Sequence, residues 1–594
     1  MIQAKPLVRP RRGIALITVL LVSLVLASLM VVGAMLGSNS SLIVKYRQRA
    51  SQLQWAADAG LEEARARVNS DLSLYPADGY NTLEKDAVVR DASGAIIPGV
   101  TRTVYVGPTG ITSGQYGVQG SAVAVVKDAS GNTVVRRNKL QQESFAKFAY
   151  FTDNEPSDIY FGNGDQIYGP VHSNDEIKIH STRATFFGTV TTAKTIENKG
   201  YGTFKQDYKE KAKEVPFPQT ADLNKLKVQA TAAHMAITST TSGAAGQATT
   251  RIEFVSVDLN NDKDSTDADE GFIRVYQSAD AGWVVADVPS TYSGTGSTGG
   301  LRKSKNCGDF HSGTFMSAND HSSSGSHDWE DGVGKKVSRC FLGGADELNL
   351  NGAFKAADAQ GKWLPWPGTV SPKVSAVKGV QATYLWPIGR ALNPAWKGVI
   401  FVTGKVAISG TVRGEVTLAA TDNIIIADDL KYQTDAGAQT CNDILGLFSG
   451  NDVIVADNTI NSPIRPRSNG SSSTYYTRDE TPDEFIQAVV LALDIFTAER
   501  YDEGSTSAEV CDKTIDAGRG CLRLTGGIIQ NTRGAVGQVD GHGYVKRYSY
   551  DACAASNSPP YFPTTGHFIR DRFFEVDPTG FDVDAYFALL TPKD

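Results

Sequence analysis

The sequence predicts a mainly β chain: one long N-terminal transmembrane α-helix, a small α/β domain beside it, and a large inserted parallel β-solenoid. Three observations carry this prediction. Gly13 to Val44 contains no Asp, Glu, Lys or Arg. Glycine is abundant at 58 residues, alongside many Ser, Thr and Val, a composition that favours strands and turns. Short apolar runs broken by glycine recur at close spacing in two separate blocks.

The helix comes first. At ~1.5 Å per residue, ~20 apolar residues cross a ~30 Å hydrocarbon core, and Ile14 to Leu36 is almost wholly apolar. Lys5, Arg9, Arg11 and Arg12 precede it, which predicts an N-terminus held in the cytoplasm. The apolar run is longer than a secretory signal core and has no convincing cleavage site behind it. The helix is expected to continue, because Tyr46, Ala50, Leu53, Ala57, Leu61, Ala64 and Val68 recur at spacings of three and four.

Arg11-Arg12-Gly13 followed by Ile14-Ala15-Leu16-Ile17 resembles a type IV prepilin leader. Ala56-Ala57-Asp58-Ala59-Gly60-Leu61 resembles the signature of the PilX N-terminal family of minor pilins. The resemblance covers roughly the first 70 residues. It implies cleavage by a prepilin peptidase between Gly13 and Ile14, methylation of the Ile14 amine, passage through the inner membrane and packing among other pilins and minor pilins. A plain membrane anchor is the alternative. The sequence departs from the major pilins at one position: the fifth residue after the cleavage site is Thr18, where they carry Glu. A subunit without that carboxylate leaves a neighbouring amine without its partner, which is costly when buried, so a tip position is expected.

The remaining boundaries follow in chain order. Residues 1–13 are the leader and 14–70 the helix. Residues 71–150 form a pilin-like head, with strands expected at Val100–Val106, Tyr116–Lys127 and Asn132–Lys139 and a turn at Asp128–Asn132. The solenoid is expected in two parts, 151–199 and 396–530. Its signs are Gly-Pro-Val at residue 169 and Gly-Thr-Val at residues 188 and 410, together with runs such as Val399–Val402 and Ile424–Ile426. The repeat is imperfect, and a β-sandwich stays open. Residues 200–395 read as a polar insertion, with a short helix expected at Tyr208–Val215. Residues 531–594 are expected to return to the head. A pilin head interrupted by a solenoid resembles the large competence minor pilins, and that resemblance implies DNA capture.

Candidate sites are few. Asp258, Asn260, Asp262, Asp264 and Asp269 alternate as oxygen donors for Ca²⁺, although Lys263 stands where the sharp turn of a calcium loop prefers Gly. A solvated acidic hairpin tip is the competing reading. Arg302, Lys303, Lys305, Lys335, Lys336 and Arg339 form the expected nucleic-acid contact, with Trp283, Tyr292 and Phe310 near enough to stack on bases. The net charge of −7 gives no general attraction to nucleic acid, so any contact must be local. His311, His321 and His327 cluster near Cys307 and Asp309 and could hold a metal, but their spacings of ten and six fit no helix-face motif, and loop histidines without a metal are the favoured reading. No nucleophile elbow, zinc-protease motif or P-loop is present. A lyase-like grouping of Arg413 with Asp422, Asp428 and Asp429 competes with ordinary turn aspartates, and the chain is expected not to be an enzyme. Six cysteines without a Cys-x-x-Cys pair suit disulfides, and loop closure favours Cys307–Cys340 and Cys511–Cys521.

The combined expectation is a minor pilin that moves from the inner membrane to the pilus or cell surface. Its expected role is DNA capture in natural transformation, with a surface or glycan adhesin and an assembly primer as alternatives.

Overall fold

The computed structural model describes residues 14–76, 78–108, 118–162, 164–243, 245–278, 285–287, 308–311, 314–317, 339–341, 361–377, 381–436, 440–456, 483–499, 501–502, 521–539 and 542–590. The chain is mainly β with one long N-terminal helix. It divides into two compact units. Unit 1 is Met1–Gly110, Gln119–Gln141 and Phe568–Asp594; unit 2 is Ile111–Val118 and Gln142–His567. The leader residues, Gly13 among them, lie outside the described residues.

In unit 1, helix α1 (Ile14–Ser70) runs 57 residues without a break. Among the described residues it is the one helix long and apolar enough to cross a membrane. Every residue from Ala15 to Gln48 is exposed. Burial begins further along, where Leu53, Ala57, Leu61, Ala64 and Val68 are each 2% exposed or less. Tyr46 and Ala50 continue the same spacing but stay exposed.

That sheet contains β1 (Asn81–Arg90), β2 (Ile96–Pro108), β3 (Gln119–Asp128), β4 (Thr133–Ser144) and the late strand Thr564–Val576, in that spatial order. β1 to β4 are antiparallel neighbours. The turn between β3 and β4 is closed by Asp128, whose carboxylate accepts from the amides of Ser130 and Asn132 at 2.9 and 3.0 Å. One face packs Val104, Ala124 and Leu140 on α1. The other packs Val123 and Val135 on Phe587 of the helix Val583–Leu590.

Unit 2 is built on a mixed sheet dominated by parallel pairing. One ladder sets Ile400, Leu418, Leu447, Val490, Ile528, Tyr150, Val171 and Val190 in successive register. A second sets Val406, Ile424, Val453 and Phe496 together. A third runs Leu430, Ile486, Leu524, Tyr548, Ile167, Phe186 and Phe204. Apart from the half-buried Phe204, these side chains form one core. Spatial order departs from chain order where Ile528 meets Tyr150, so the earliest strands of the unit stack on its latest ones.

Antiparallel pairing makes the sheet mixed: Gly271–Ser278 runs against Thr250–Ser256, Gly361–Trp363 and Trp386–Pro387. The expected helix at Tyr208–Val215 is not formed. Tyr208 and Lys209 pair in parallel with Val190 and Thr191, and Lys211 has a positive φ of 56°, which an α-helix does not admit. The helix of this region is instead Thr220–Ala232. Inside unit 2, Arg533 bonds Glu155 at 3.2 Å with both side chains at 2% exposure or less, and its guanidinium lies 3.7 Å from the centre of the Phe161 ring.

Candidate functional site

The Ala56–Leu61 motif lies where α1 first meets its sheet. Ala57 and Leu61 are fully buried, and Asp58 pairs with Arg136 of β4 at 2.5 Å. Gly60 lets Arg102 of β2 lie across the helix, since a Cβ at that position would stand 2.6 Å from the Arg102 Cδ. Arg102 then donates to Glu63 and Glu84, each at 2.7 Å, and to the Ala56 carbonyl at 3.2 Å. The motif is therefore a docking seam, small where backbone and side chain crowd and acidic where the sheet offers arginine. Two turns earlier, Arg49 meets Asp128 at 3.2 Å. The Asn132 side-chain amide, helped by Arg49, lowers the Asp128 pKa to about 2.

Beside this seam is a groove of about 630 Å³ between α1 and the β1–β2 hairpin, lined by Lys45, Arg49, Trp55, Val89, Arg90 and Ile97 among others. Trp55 is 73% exposed. The helical spacing marks Trp55 as off the buried face, so its exposure was legible; the groove was not, because its far wall is the unexpected strand β1.

The acidic loop lies between Thr250–Ser256 and Gly271–Ser278. Its carboxylates hold the loop's own backbone. Asp258 accepts from Asn261 and Lys263 at 2.6 and 2.9 Å, Asp262 from Asp264 at 3.1 Å, and Asp264 from Thr266 at 2.9 Å. Asn260 donates to Asp262 and Asp267 at 2.8 and 2.9 Å. Asp269 pairs with Lys373 at 2.7 Å, which raises the lysine pKa. Fully buried Glu270 takes the amides of Leu259 and Asp267 at 2.7 and 2.9 Å. No group of three or more His, Cys, Asp or Glu side chains placed to hold a metal is found among the described residues.

Of the basic residues expected to contact nucleic acid, Arg302, Lys303, Lys305, Lys335 and Lys336 lie outside the described residues, and Arg339 opens the short strand Arg339–Phe341. Trp283, Tyr292, His321 and His327 also lie outside them. The lyase-like grouping is not assembled around Arg413. That guanidinium is buried and bonds Asp443 at 2.6 Å, while Asp429 pairs with Lys431.

Cys441 and Cys553 form a disulfide across 112 residues. They are the two cysteines that the expected pairings left over. Cys521 is also disulfide-bonded, and its expected partner Cys511 lies outside the described residues, as does Cys307; Cys340 sits in the strand Arg339–Phe341.

No family model matches the chain, so the PilX resemblance rests on the motif itself. No curated protein matches either. A solved structure, that of the competence-associated pilin ComZ from Thermus thermophilus, aligns over 89% of this chain and 97% of its own, at 11% identity and a TM-score of 0.20. At that score and identity, nothing is carried from ComZ to individual residues here.

Proposed function

We propose that the chain is a type IV pilus minor pilin, anchored by α1, with unit 1 as a pilin-like head and unit 2 as a β-solenoid it carries. Its role in this reading is capture of extracellular DNA at the pilus tip, without enzymatic activity. The observation that carries the reading is α1 itself. An exposed, uncharged stretch from Ala15 to Val44 continues without interruption into a face buried on an antiparallel sheet. A plain anchor gives no reason for the same rod to be built into the head. The long in-register parallel ladders support the solenoid part of the reading. Thr18 supports a position where no neighbour's amine needs a carboxylate; its hydroxyl donates back to the Ala15 carbonyl at 2.9 Å.

The test is a deletion strain scored for transformation and for pili. The expected result is transformation reduced by tenfold or more with filaments still present, and a methylated Ile14 N-terminus on the native protein. Normal transformation overturns DNA capture. Loss of all filaments turns the reading to an assembly primer. An intact leader on the native protein removes the pilin itself.

A further inference from the structure

The groove of unit 1 lies toward the apolar end of α1, and two pairings fix that direction. Arg102 of β2 lies across α1 at Gly60. Asp128, the register partner of Val100, meets α1 further back, at Arg49. Going from Arg102 to Val100 along β2 therefore runs down α1 toward its uncharged stretch, and the β1–β2 turn before Ile96 comes last. Ile14 to Val44 at ~1.5 Å per residue spans ~46 Å, close to the ~40–45 Å of a bilayer with its headgroup layers. Lys45, the first charged residue after that stretch, emerges at the outer headgroup level. It is also the first residue of α1 to line the groove.

The charge of the groove is unbalanced. Its cations are Lys45, Arg49 and Arg90, and its lining carboxylate among the described residues is Asp91. Arg49 is compensated by Asp128. Arg90 donates to the Gly94 carbonyl at 2.9 Å, which leaves its charge uncompensated. Among the described residues, no carboxylate pairs with Lys45 or Arg90. Asp91 is engaged in its own turn, where Oδ1 accepts from the Ser93 hydroxyl and amide at 2.6 and 2.9 Å and from the Ala95 amide at 3.0 Å. The balance is two open cations against one engaged carboxylate, with the amides of Gln48 and Gln52 beside them.

This lining chooses between occupants. A second uncharged helix laid in the groove would bury Lys45, Arg90 and two glutamines without partners, which is costly. A phospholipid brings a phosphate for the cations at the height where a membrane presents it. We infer that the groove binds the headgroup of an anionic phospholipid from the leaflet where α1 emerges. Its phosphate sits on Lys45 and Arg90 and its hydroxyls on Gln48 and Gln52, with Trp55 bounding the site at the far end. The inference rests on α1 as a membrane anchor and is independent of DNA capture.

The experiment uses the full chain in detergent micelles doped with equal amounts of phosphatidylglycerol and phosphatidylcholine, and native mass spectrometry counts the lipid that stays bound. Phosphatidylglycerol is expected to be retained over phosphatidylcholine. Lys45→Gln and Arg90→Gln are each expected to lower that retention about fivefold. Both change exposed side chains and leave the Arg49–Asp128 pair in place. Arg47→Gln removes a charge at nearly the same height from a residue outside the groove, and is expected to change nothing. Equal retention of the two lipids, full retention by both groove variants, or the same loss with Arg47→Gln overturns the assignment. So does displacement of the lipid by millimolar glycerol phosphate, which would leave a site for small anions only. A dimer in the micelles that Trp55→Ala dissociates would give the groove to a second copy and overturn it too. Resistance of the chain to alkaline extraction from phosphatidylcholine vesicles reads the anchor alone and is expected to be the same in every variant. Its loss removes the anchor and the inference with it, whereas loss of lipid selectivity with that resistance intact removes only the site.

Discussion

In unit 1, β3 is ten residues long and meets its neighbours antiparallel, with one face on α1 and the other on the helix Val583–Leu590. In unit 2, a strand as short as Val453–Val455 is enough, because it lies in register between neighbours above and below. The first design depends on cover from helices and on ion pairs at the seam, such as Arg136–Asp58. The second depends on repetition, so that a three-residue strand buries all its side chains through its neighbours rather than its length. The difference predicts where each unit is brittle. A defect in the stack is shared by every level it touches. A defect at a turn of unit 1 stays local.

The largest effect is expected from removing a partner inside the stack. Arg533→Ala leaves Glu155 buried and uncompensated, a loss of about 3–5 kcal/mol. Hydrogen exchange on the full chain should show protection falling across the ladders of unit 2 while β1 to β4 keep theirs. Equal loss in both sheets would sink the comparison.

A pair of glycine substitutions sharpens it. Gly526 has a φ of +145°, and a Cβ there would fall on the Ala488 carbonyl of the adjacent level. Gly131 in the β3–β4 turn has a φ of +84° and open space around it. Gly526→Ala is expected to cost about 3 kcal/mol, through strain and crowding together. Gly131→Ala should cost about 1 kcal/mol, from conformation alone. Denaturant melts of the two variants read the gap, and similar losses would mean that the stack tolerates local displacement.

The smallest effect concerns acid. The Asp128 carboxyl titrates at about 2 in the folded chain and near 3.8 when free, so its contribution is present above the free value. It is lost as pH falls from about 4 toward 2. Amide exchange at Ser130 and Asn132 should quicken through that window, and Asp128→Asn should remove the pH dependence. Protection that holds flat to pH 2 in the parent chain would contradict the assignment.

Parts of this were legible in the sequence for physical reasons. α1 announces itself twice, by the uncharged run to Val44 and by the Leu53, Ala57, Leu61, Ala64 and Val68 spacing. The β3–β4 turn was legible because Asp, Gly and Asn have the side chains and backbone freedom it needs. β1 was not. Asn81–Arg90 carries Glu84, Lys85 and Asp86, has a positive φ of 47° at Asp86, and slips register against β2 three times, so no alternation survives to be read. The order of the levels in unit 2 was also hidden. It sets Arg547 beside Gln166, residues 381 apart, and only the register reveals that they are neighbours.

The junction of Ile528 with Tyr150 sets a timetable for the molecule. As the chain is made amino end first, the strand Tyr150–Asn154 finds its companion Val171–Ser173 almost at once. Its opposite edge must wait for Cys521–Thr532, several hundred residues later. Through that interval the edge is bare backbone, open to any passing strand. Folding must therefore either outpace aggregation or be chaperoned until the tail arrives and shuts the seam.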